Sequence, residues 1–201
     1  FFFFFDDKKR KSDYLNQVSK LLDSGMYIDK SKQSSIYIFE EKLKKFFKKK
    51  YCILTSSGSS SLYLSLRALN LKKGDEVITQ SFTFVATVEA IVEARATPVC
   101  TEVDETLNMD PKDLEKKINK KTKAVIVVHM LGVPTRLNEI KKTCEKYNIV
   151  LIEDTAWGCG GKYNNKFLGT WGDIGAFSFD FAKTITTGEG GMLLFKSKKK
   201  F

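Results

Sequence analysis

The sequence predicts an α/β domain built around a mainly parallel β-sheet. Strand-like and helix-like segments alternate from residue 51 to residue 153, which is typical of parallel strands joined by helices. Residues 124–128, AVIVV, form a continuous apolar run, as expected of a strand buried on both faces. The chain has 201 residues, of which 42% are hydrophobic, so it can fill one core of this kind. In such folds, ligands bind at the carboxyl ends of the strands.

Each element follows from apolar periodicity and from the residues at its ends. Residues 6–30 carry a weak helical pattern that stops at Ser24 and Gly25, and residues 35–50 carry a clearer one. Asp110 and Pro111 suit a helix start, with aspartate as the cap and proline at the first helical position. Further helices are predicted after residue 58 and over residues 87–94 and 136–147, and strands over residues 51–54, 76–79, 98–103, 124–128, 149–152, 176–179 and 192–195.

Composition argues against several classes of protein. The formal net charge is +10, which would suit a nucleic acid or an acidic surface. However, lysines mix with glutamates in segments such as EIKKTCEKY, so solvated helix faces are the better interpretation, and neither nucleic acid nor membrane is an expected partner. The four cysteines are widely spaced and His129 is the only histidine, so we expect no metal site and a reducing, cytoplasmic location.

The two ends of the sequence are unusual. Residues 1–5 are five phenylalanines without the basic region and cleavage site of a signal peptide, and we interpret them as a translation or truncation artefact. The other end, KSKKKF, follows directly on the strand-like run GMLLF with no helix to close it. We therefore expect that the C-terminal part of a longer protein is missing.

A segment of small hydroxyl residues precedes the helix that starts near residue 58. The sequence SSGSSSL, residues 56–62, combines serines with a glycine and leads into an amphipathic run. Free backbone N–H groups, serine hydroxyls and the helix dipole can together bind an anion. A plain helix cap is the alternative interpretation. The segment lacks the lysine pattern of a nucleotide-triphosphatase loop.

Two ionisable residues follow predicted strands. Asp154 comes directly after a buried strand, where a carboxylate either binds a ligand or merely caps a turn. Lys183 lies in FSFDFAKTITTGEGG, residues 177–191, among phenylalanines and before a glycine run. Apolar neighbours favour the neutral amine that acts as a nucleophile; the alternative is one more solvated lysine. An anion site, a carboxylate and a desolvated lysine are the groups that pyridoxal phosphate (PLP) requires.

Several longer motifs stand in order along the chain. They are SSGSSSL, GDEVITQSFTFVATVEAI, ATPVCTEVD, KTKAVIVVHMLGVP, IEDTAWGCGG and GDIGAFSFDFAKTITTGEGGM. With these motifs, the sequence resembles the family of PLP-dependent sugar aminotransferases named after DegT, DnrJ, EryC1 and StrS, from about residue 25 to residue 195. The resemblance implies the large domain of type I PLP-dependent aminotransferases, an α/β/α sandwich with a mixed, mostly parallel sheet.

The resemblance also implies roles for individual residues. Lys183 corresponds to the lysine that forms a Schiff base with PLP and carries protons between substrate and cofactor. Asp154 corresponds to the carboxylate at the pyridine nitrogen, and Phe84 to the aromatic residue stacked on the ring. The family's phosphate-binding positions correspond to Ser59, Ser60 and Ser178.

Trp157 departs from the family pattern. The family usually has glutamine or histidine at this position near the cofactor ring, whereas an indole donates one hydrogen bond and accepts none. The contacts of Trp157 with cofactor or substrate must therefore differ, and we expect a different sugar preference. His129 matches the histidine of the family motif V-H-x-x-G, and we expect it to have a packing role.

The function that the resemblance implies is transfer of an amino group, with glutamate as the expected donor, to a keto group of a nucleotide-linked deoxysugar. Such sugars enter polysaccharides or glycosylated metabolites. The family forms homodimers with active sites at the interface, so a second copy is the expected partner. Residues 25–201 would form the PLP-binding large domain after an N-terminal segment of residues 1–24, and the family's C-terminal small domain would be absent.

Three other functions remain as alternatives. A related branch of dehydratases uses pyridoxamine phosphate (PMP) to remove a sugar hydroxyl, but it has histidine where this sequence has Lys183. A non-catalytic regulatory protein could retain the cofactor pocket, although intact Lys183, Asp154 and Ser178 argue against decay. A basic nucleic-acid-binding domain is disfavoured because carboxylates are interspersed among the lysines.

Overall fold

The chain divides into two compact units, with the boundary between Glu41 and Lys42. The division predicted from the sequence, after residue 24, stays a prediction. The five initial phenylalanines lie outside the described part of the chain. The computed structural model describes residues 8–25, 31–32 and 34–196.

Two helices begin the described chain. Helix α1 (Lys8–Ser24) ends as predicted, and Gly25 follows it with φ +62°, the left-handed conformation typical of a helix stop. Helix α2 (Ser35–Phe47) follows Ser34, whose side chain accepts a hydrogen bond from the Tyr37 N–H at 3.1 Å. Among the described helices, none combines the length and the apolar character that crossing a membrane would require.

The second unit is built on a seven-stranded sheet with helices beside it. The sheet strands are β1 (Tyr51–Thr55), β2 (Glu76–Gln80), β3 (Thr97–Thr101), β4 (Thr122–Val128), β5 (Val150–Asp154), β8 (Ile174–Ser178) and β9 (Gly191–Phe195), and a separate hairpin consists of β6 (Lys162–Tyr163) and β7 (Lys166–Phe167). The helices are α3 (Gly58–Arg67), α4 (Val85–Glu93), α5 (Pro111–Lys117) and α6 (Leu137–Lys146).

The sheet is mixed and mostly parallel, which confirms the predicted fold class. Its strand order is β1-β9-β8-β5-β4-β2-β3. Strand β2 pairs in parallel with β3 and β4, β4 with β5, and β5 with β8. Strand β9 is antiparallel to both neighbours, β1 and β8. Thus β1 and β8 run in the same direction, with β9 between them.

Two hydrophobic layers lie on opposite faces of the sheet. Alternate residues of a strand point to opposite faces; accordingly Ala124 and Ile126 of β4 belong to one layer, and Val125 and Val127 to the other. All four are fully buried, which explains the continuous apolar run in the sequence. The first layer includes Leu62 and Leu66 of α3 and Ala90 and Ile91 of α4, and the second includes Leu114 of α5 and Leu137 and Ile140 of α6.

The structure adds elements that the sequence did not predict. The β6–β7 hairpin turns at Asn164 and Asn165, with φ +45° and +59°, and asparagine is one of the few residues that tolerate this conformation. Its strands of two residues are too short to give a periodic pattern. The strand predicted over residues 98–103 ends at Thr101 as β3, and only an isolated bridge joins Val103 to Met109.

Candidate active site

One edge of the sheet, here called the carboxyl edge, is formed by the last residues of the parallel strands β4, β5 and β8. Strand β5 ends at Asp154 and β8 at Ser178. Gly191, the first residue of β9, pairs with Ser178 on one side and with Thr55 on the other. The end of β1, which leads into α3, therefore lies at the same edge, two strands away from Ser178.

The serines that follow β1 form the first turn of α3. The helix begins at Gly58, close to the start predicted from the sequence. Ser57 caps the helix, because its hydroxyl accepts a hydrogen bond from the Ser60 N–H at 3.0 Å. The Ser60 hydroxyl lies 2.9 Å from the Ser56 hydroxyl, and Ser59 is exposed. The first N–H groups of a helix have no partner within it, so this turn can bind an anion.

Ser178 lies against this first turn. A Cβ atom added to Gly58 would stand 2.7 Å from the Ser178 Cβ and 3.1 Å from its Oγ, too close for any residue but glycine. A Cβ atom on Gly191 would likewise collide with the Ser57 carbonyl oxygen. These glycines allow α3 to approach β8 and β9 so closely that the buried Ser178 and the serines of the first turn lie in one small region.

Asp154 is a buried carboxylate with two hydrogen-bond donors. The Ala156 N–H donates to its Oδ1 at 3.1 Å, and the Thr87 hydroxyl donates to its Oδ2 at 3.0 Å. Burial raises the pKa of Asp154, while these donors and the charge of nearby Lys183 act in the opposite direction. Since a carboxylate accepts about four hydrogen bonds, Asp154 can accept a further donor.

Lys183 lies in the loop after β8, with its ammonium group over the ring of Trp157. Its Nζ is 4.1 Å from the centre of the indole, within the range of a cation–π interaction. The apolar surroundings expected for Lys183 stay a prediction; Phe177 and Phe179 are buried in the core, and Phe181 is 66% exposed. Trp157 provides apolar surface beside the lysine.

Phe84 immediately precedes α4, at its capping position. Its side chain is 66% exposed, so the ring can stack on a flat ligand. One helical turn later, α4 carries Thr87, which holds Asp154 and in turn accepts a hydrogen bond from the Thr83 hydroxyl at 3.0 Å. The start of α4 therefore links the position of Phe84 to the buried carboxylate.

Glu153, the residue before Asp154, forms a second buried carboxylate site. It accepts hydrogen bonds from the N–H groups of Gly169, Trp171 and Gly172 at 2.6–2.8 Å. His129 Nε2 lies 3.2 Å from the same carboxylate. The Thr135 N–H donates to His129 Nδ1 at 3.3 Å, so Nε2 carries the proton and donates to Glu153. His129 is completely buried in this network, in keeping with a packing role.

The sequence missed Thr87 and Glu153 as contributors to the site. Thr87 has a detectable signal, since it follows Phe84 by three residues and shares its helix face. Glu153 has no such signal in the sequence, because its donors are backbone N–H groups of an irregular segment. Within the described residues, no three histidine, cysteine, aspartate or glutamate side chains come together as a potential metal site.

The fold and the carboxyl edge define a class, that of PLP-dependent aminotransferases. The structure superposes on an aminotransferase from Psychrobacter cryohalolentis with a TM-score of 0.88 and 34% identity, covering 92% of this chain and 47% of that one. It also superposes on Bacillus subtilis NtdA, solved with bound PMP, with a TM-score of 0.88 and 28% identity, covering 96% of this chain and 43% of that one.

The chain belongs to the DegT/DnrJ/EryC1/StrS aminotransferase family, whose profile matches residues 8–200. Among its relatives, the GDP-perosamine synthase of Vibrio cholerae is 41% identical over 193 residues, which cover 96% of this chain and 51% of that protein. The chain thus spans about half the length of the curated relatives it matches. The resemblance to this family found in the sequence is confirmed.

Proposed function

We propose that the protein containing this chain is a PLP-dependent aminotransferase that acts on nucleotide-linked keto sugars. The observation that carries the proposal is Asp154: a carboxylate at the end of β5 whose pKa is raised by burial, with acceptor capacity left after two hydrogen bonds. A buried carboxylate of this kind needs a cationic or donating partner, and a protonated pyridine nitrogen is such a partner.

The other residues of the carboxyl edge fit the remaining parts of PLP. The first turn of α3, with Ser59 and Ser60, and the adjacent Ser178 would bind the phosphate. The exposed ring of Phe84 would stack on the pyridine. Trp157 would contact the cofactor region through its indole, beside Lys183. These assignments agree with the roles implied by the family resemblance.

Each residue then has a defined task in the reaction. When bound, PLP supplies an aldehyde that takes up an amino group and a ring that withdraws electrons from the reacting carbon. Asp154 would hold a proton at the pyridine nitrogen, which would keep the ring electron-withdrawing. The Lys183 amine would bind the cofactor covalently and move a proton at the substrate carbon. The serines would bind the phosphate and so orient the cofactor toward Lys183.

The substrate and partner proposals depend on the relatives. The name GDP-perosamine synthase joins a nucleotide to an amino sugar, which supports a nucleotide-linked keto sugar as the acceptor here; glutamate is the proposed donor. We also propose a homodimer. This proposal rests on the family resemblance, which implies active sites at a dimer interface. The cytoplasmic location likewise stays a proposal.

The covalent test uses PLP and borohydride. After incubation with PLP, reduction should fix a pyridoxyl group on Lys183, detected by peptide mapping. The Lys183→Met variant should lose this adduct, whereas Lys166→Met should keep it, since Lys166 precedes β8 and the candidate site follows it. An unlabelled Lys183 in the wild-type protein, with label distributed among surface lysines, would refute the proposal.

Turnover separates the aminotransferase from its alternatives. The full-length protein should convert glutamate and a keto-sugar nucleotide into 2-oxoglutarate and an amino sugar, whereas the 201-residue chain should be a poor catalyst. A hydroxyl-eliminating reaction would instead indicate a dehydratase. A stable adduct on Lys183 without turnover of a panel of keto-sugar nucleotides would indicate a regulatory PLP-binding protein.

A further inference from the structure

Trp157 and Lys183 form a contact that the proposed reaction does not explain. The two residues are on different loops, after β5 and after β8, yet Nζ lies 4.1 Å from the centre of the indole ring. Trp157 remains 38% exposed, so it does not behave as an ordinary core residue. The face of its ring, rather than its N–H group, is what it presents to the ammonium group.

Two features of the site draw the Lys183 ammonium group to this place. The negative face of the indole attracts a cation, and the opposite charges of Asp154 and Lys183 also attract each other. A lysine side chain has four rotatable bonds and many accessible conformers. These two attractions therefore restrict where its nitrogen lies before any ligand arrives.

We propose that Trp157 is a positioning residue for Lys183: its indole face holds the ammonium group at a defined place in the cofactor-free protein. This inference rests on the proposed function, because it assigns a task toward the lysine identified there. The cation–π attraction acts on the ammonium group and is lost when the amine becomes neutral, so the indole positions the resting lysine and the contact is given up before the amine reacts.

The chain contains a matched control for this interaction. Lys166 Nζ lies 4.4 Å from the centre of the Trp171 ring, and this pair precedes β8 instead of following it. The two pairs have nearly the same geometry but different surroundings. A variant of Trp171 therefore tests the general effect of losing a lysine–tryptophan contact, without touching the candidate site.

The first test is an NMR measurement on the cofactor-free protein. A lysine above an indole face has its ε-methylene protons shifted upfield by the ring current. The Lys183 signal, identified by its absence from Lys183→Met, should be upfield in the wild type and in Trp157→Phe, and should return to the ordinary position in Trp157→Leu. The Trp171→Leu change should move only the Lys166 signal. An ordinary position for Lys183 in the wild-type spectrum overturns the proposal without any variant.

The second test measures the rate at which Lys183 becomes labelled by PLP and borohydride. Trp157→Leu should raise the rate roughly two- to fivefold, because the amine no longer has to leave a partly exposed cation–π contact before it reacts, and Trp157→Phe should stay near the wild-type rate. Trp171→Leu should have no effect. Equal rates for Trp157→Leu and Trp157→Phe would overturn the inference. Absence of label on Lys183 in every variant would instead refute the proposed function, whatever the NMR spectrum shows.

Discussion

Glu153 and Asp154 are adjacent buried carboxylates at the end of β5, but Glu153 accepts more hydrogen bonds than Asp154 does. Glu153 accepts three backbone N–H groups and lies against the protonated nitrogen of His129. Asp154 accepts two donors, from Ala156 and Thr87. With about four acceptor positions on each carboxylate, Glu153 is saturated by the protein, whereas Asp154 can accept more.

This difference distinguishes a structural carboxylate, Glu153, from the carboxylate proposed to bind the cofactor, Asp154, although both are buried. The saturated residue fixes the segment from Gly169 to Gly172, and with it the Trp171 ring. The pKa of Asp154 stays raised, because its hydrogen bonds and the positive charges around it only partly offset the effect of burial. A buried charge that the protein does not fully satisfy indicates a place where a ligand supplies the rest.

The largest expected effect is the loss of stability when the hydrogen bonds to the Glu153 carboxylate are disrupted. In Glu153→Gln, an amide N–H₂ group would face backbone N–H donors, so we expect the free energy of unfolding to fall by roughly 3–5 kcal/mol. Urea denaturation measures this loss. The control is Glu145→Gln, since Glu145 makes only an exposed ion pair with Lys141 at 3.5 Å, and its loss should cost less than about 1 kcal/mol. Equal losses in both variants would contradict the network's importance.

The next effect concerns PLP affinity. Asp154→Asn removes the charge proposed to face the pyridine nitrogen, and we expect the dissociation constant for PLP to rise roughly 30-fold or more, as for other buried charge pairs that lose one member. Absorbance titration with PLP measures this change. Asp110→Asn is the control, because it makes the same substitution at the cap of α5, where asparagine also caps well.

The same variant should not lose stability without the cofactor. Burial raises the folded-state pKa of Asp154 above its unfolded value of 3.8, so the unfolded state releases its proton first. The contribution of Asp154 to stability therefore falls as pH rises from about 4 through the folded-state pKa. At pH 7, cofactor-free Asp154→Asn should unfold at the same or a higher urea concentration than the wild type. A clear loss of stability would mean that Asp154 is a structural carboxylate like Glu153.

Trp171 and Trp157 should also differ in how much each contributes to stability. Trp171 packs edge-on against Tyr163, with ring centres 5.5 Å apart, and its N–H donates to the Lys166 carbonyl oxygen at 3.4 Å. We expect Trp171→Leu to cost roughly 1–3 kcal/mol of stability, and Trp157→Leu less than about 1 kcal/mol, because Trp157 is 38% exposed. Parallel urea titrations compare the two, and the reverse order would contradict this assignment.

The smallest expected effect is the pH dependence contributed by Lys49, which donates to the Thr170 carbonyl oxygen at 2.7 Å. Burial, followed by nearby lysines, lowers its pKa from 10.5 to about 8. The unfolded state therefore binds the proton first, and stability is lost as pH falls from about 10.5 to 8. Because Lys49 is only half-buried, the loss should be under about 1 kcal/mol.

Urea titrations at pH 7.5 and 10.5 measure this contribution. The stability difference between the wild type and Lys49→Met should change with pH, while that for the exposed Lys45→Met should not. The charge of Glu153 raises the pKa of Lys49, so the pH dependence should become larger in a Glu153→Gln background. An unchanged difference across this range would contradict the lowered pKa.

Regular elements could be predicted because their determinants are local. The apolar run of β4 and the cap of α5 each lie within a few residues. Asp110 accepts a hydrogen bond from the Lys112 N–H, and Pro111 follows it as predicted. The family resemblance also identified Asp154 and Lys183 as candidate site residues, because the family's motifs occur in the same order along this chain.

The remaining features depend on distant or irregular segments. The backbone donors to Glu153 are 16–19 residues away and belong to no periodic element. The contact between Trp157 and Lys183 joins two loops whose courses no residue pattern specifies. No period relates Lys183 to the phenylalanines before it in the sequence, because Lys183 lies in a loop after the end of β8.

The position of β9 has a consequence for how the protein folds during synthesis. Strand β1 reaches the rest of the sheet only through β9, which is translated about 140 residues later. Such a distant pairing forms slowly. Until β9 has left the ribosome, β1 has no partner strand in the sheet, and only the packing of α3 on the first hydrophobic layer positions its first turn relative to Ser178. We therefore expect the pairing of β1 to be among the last steps in the folding of the described chain.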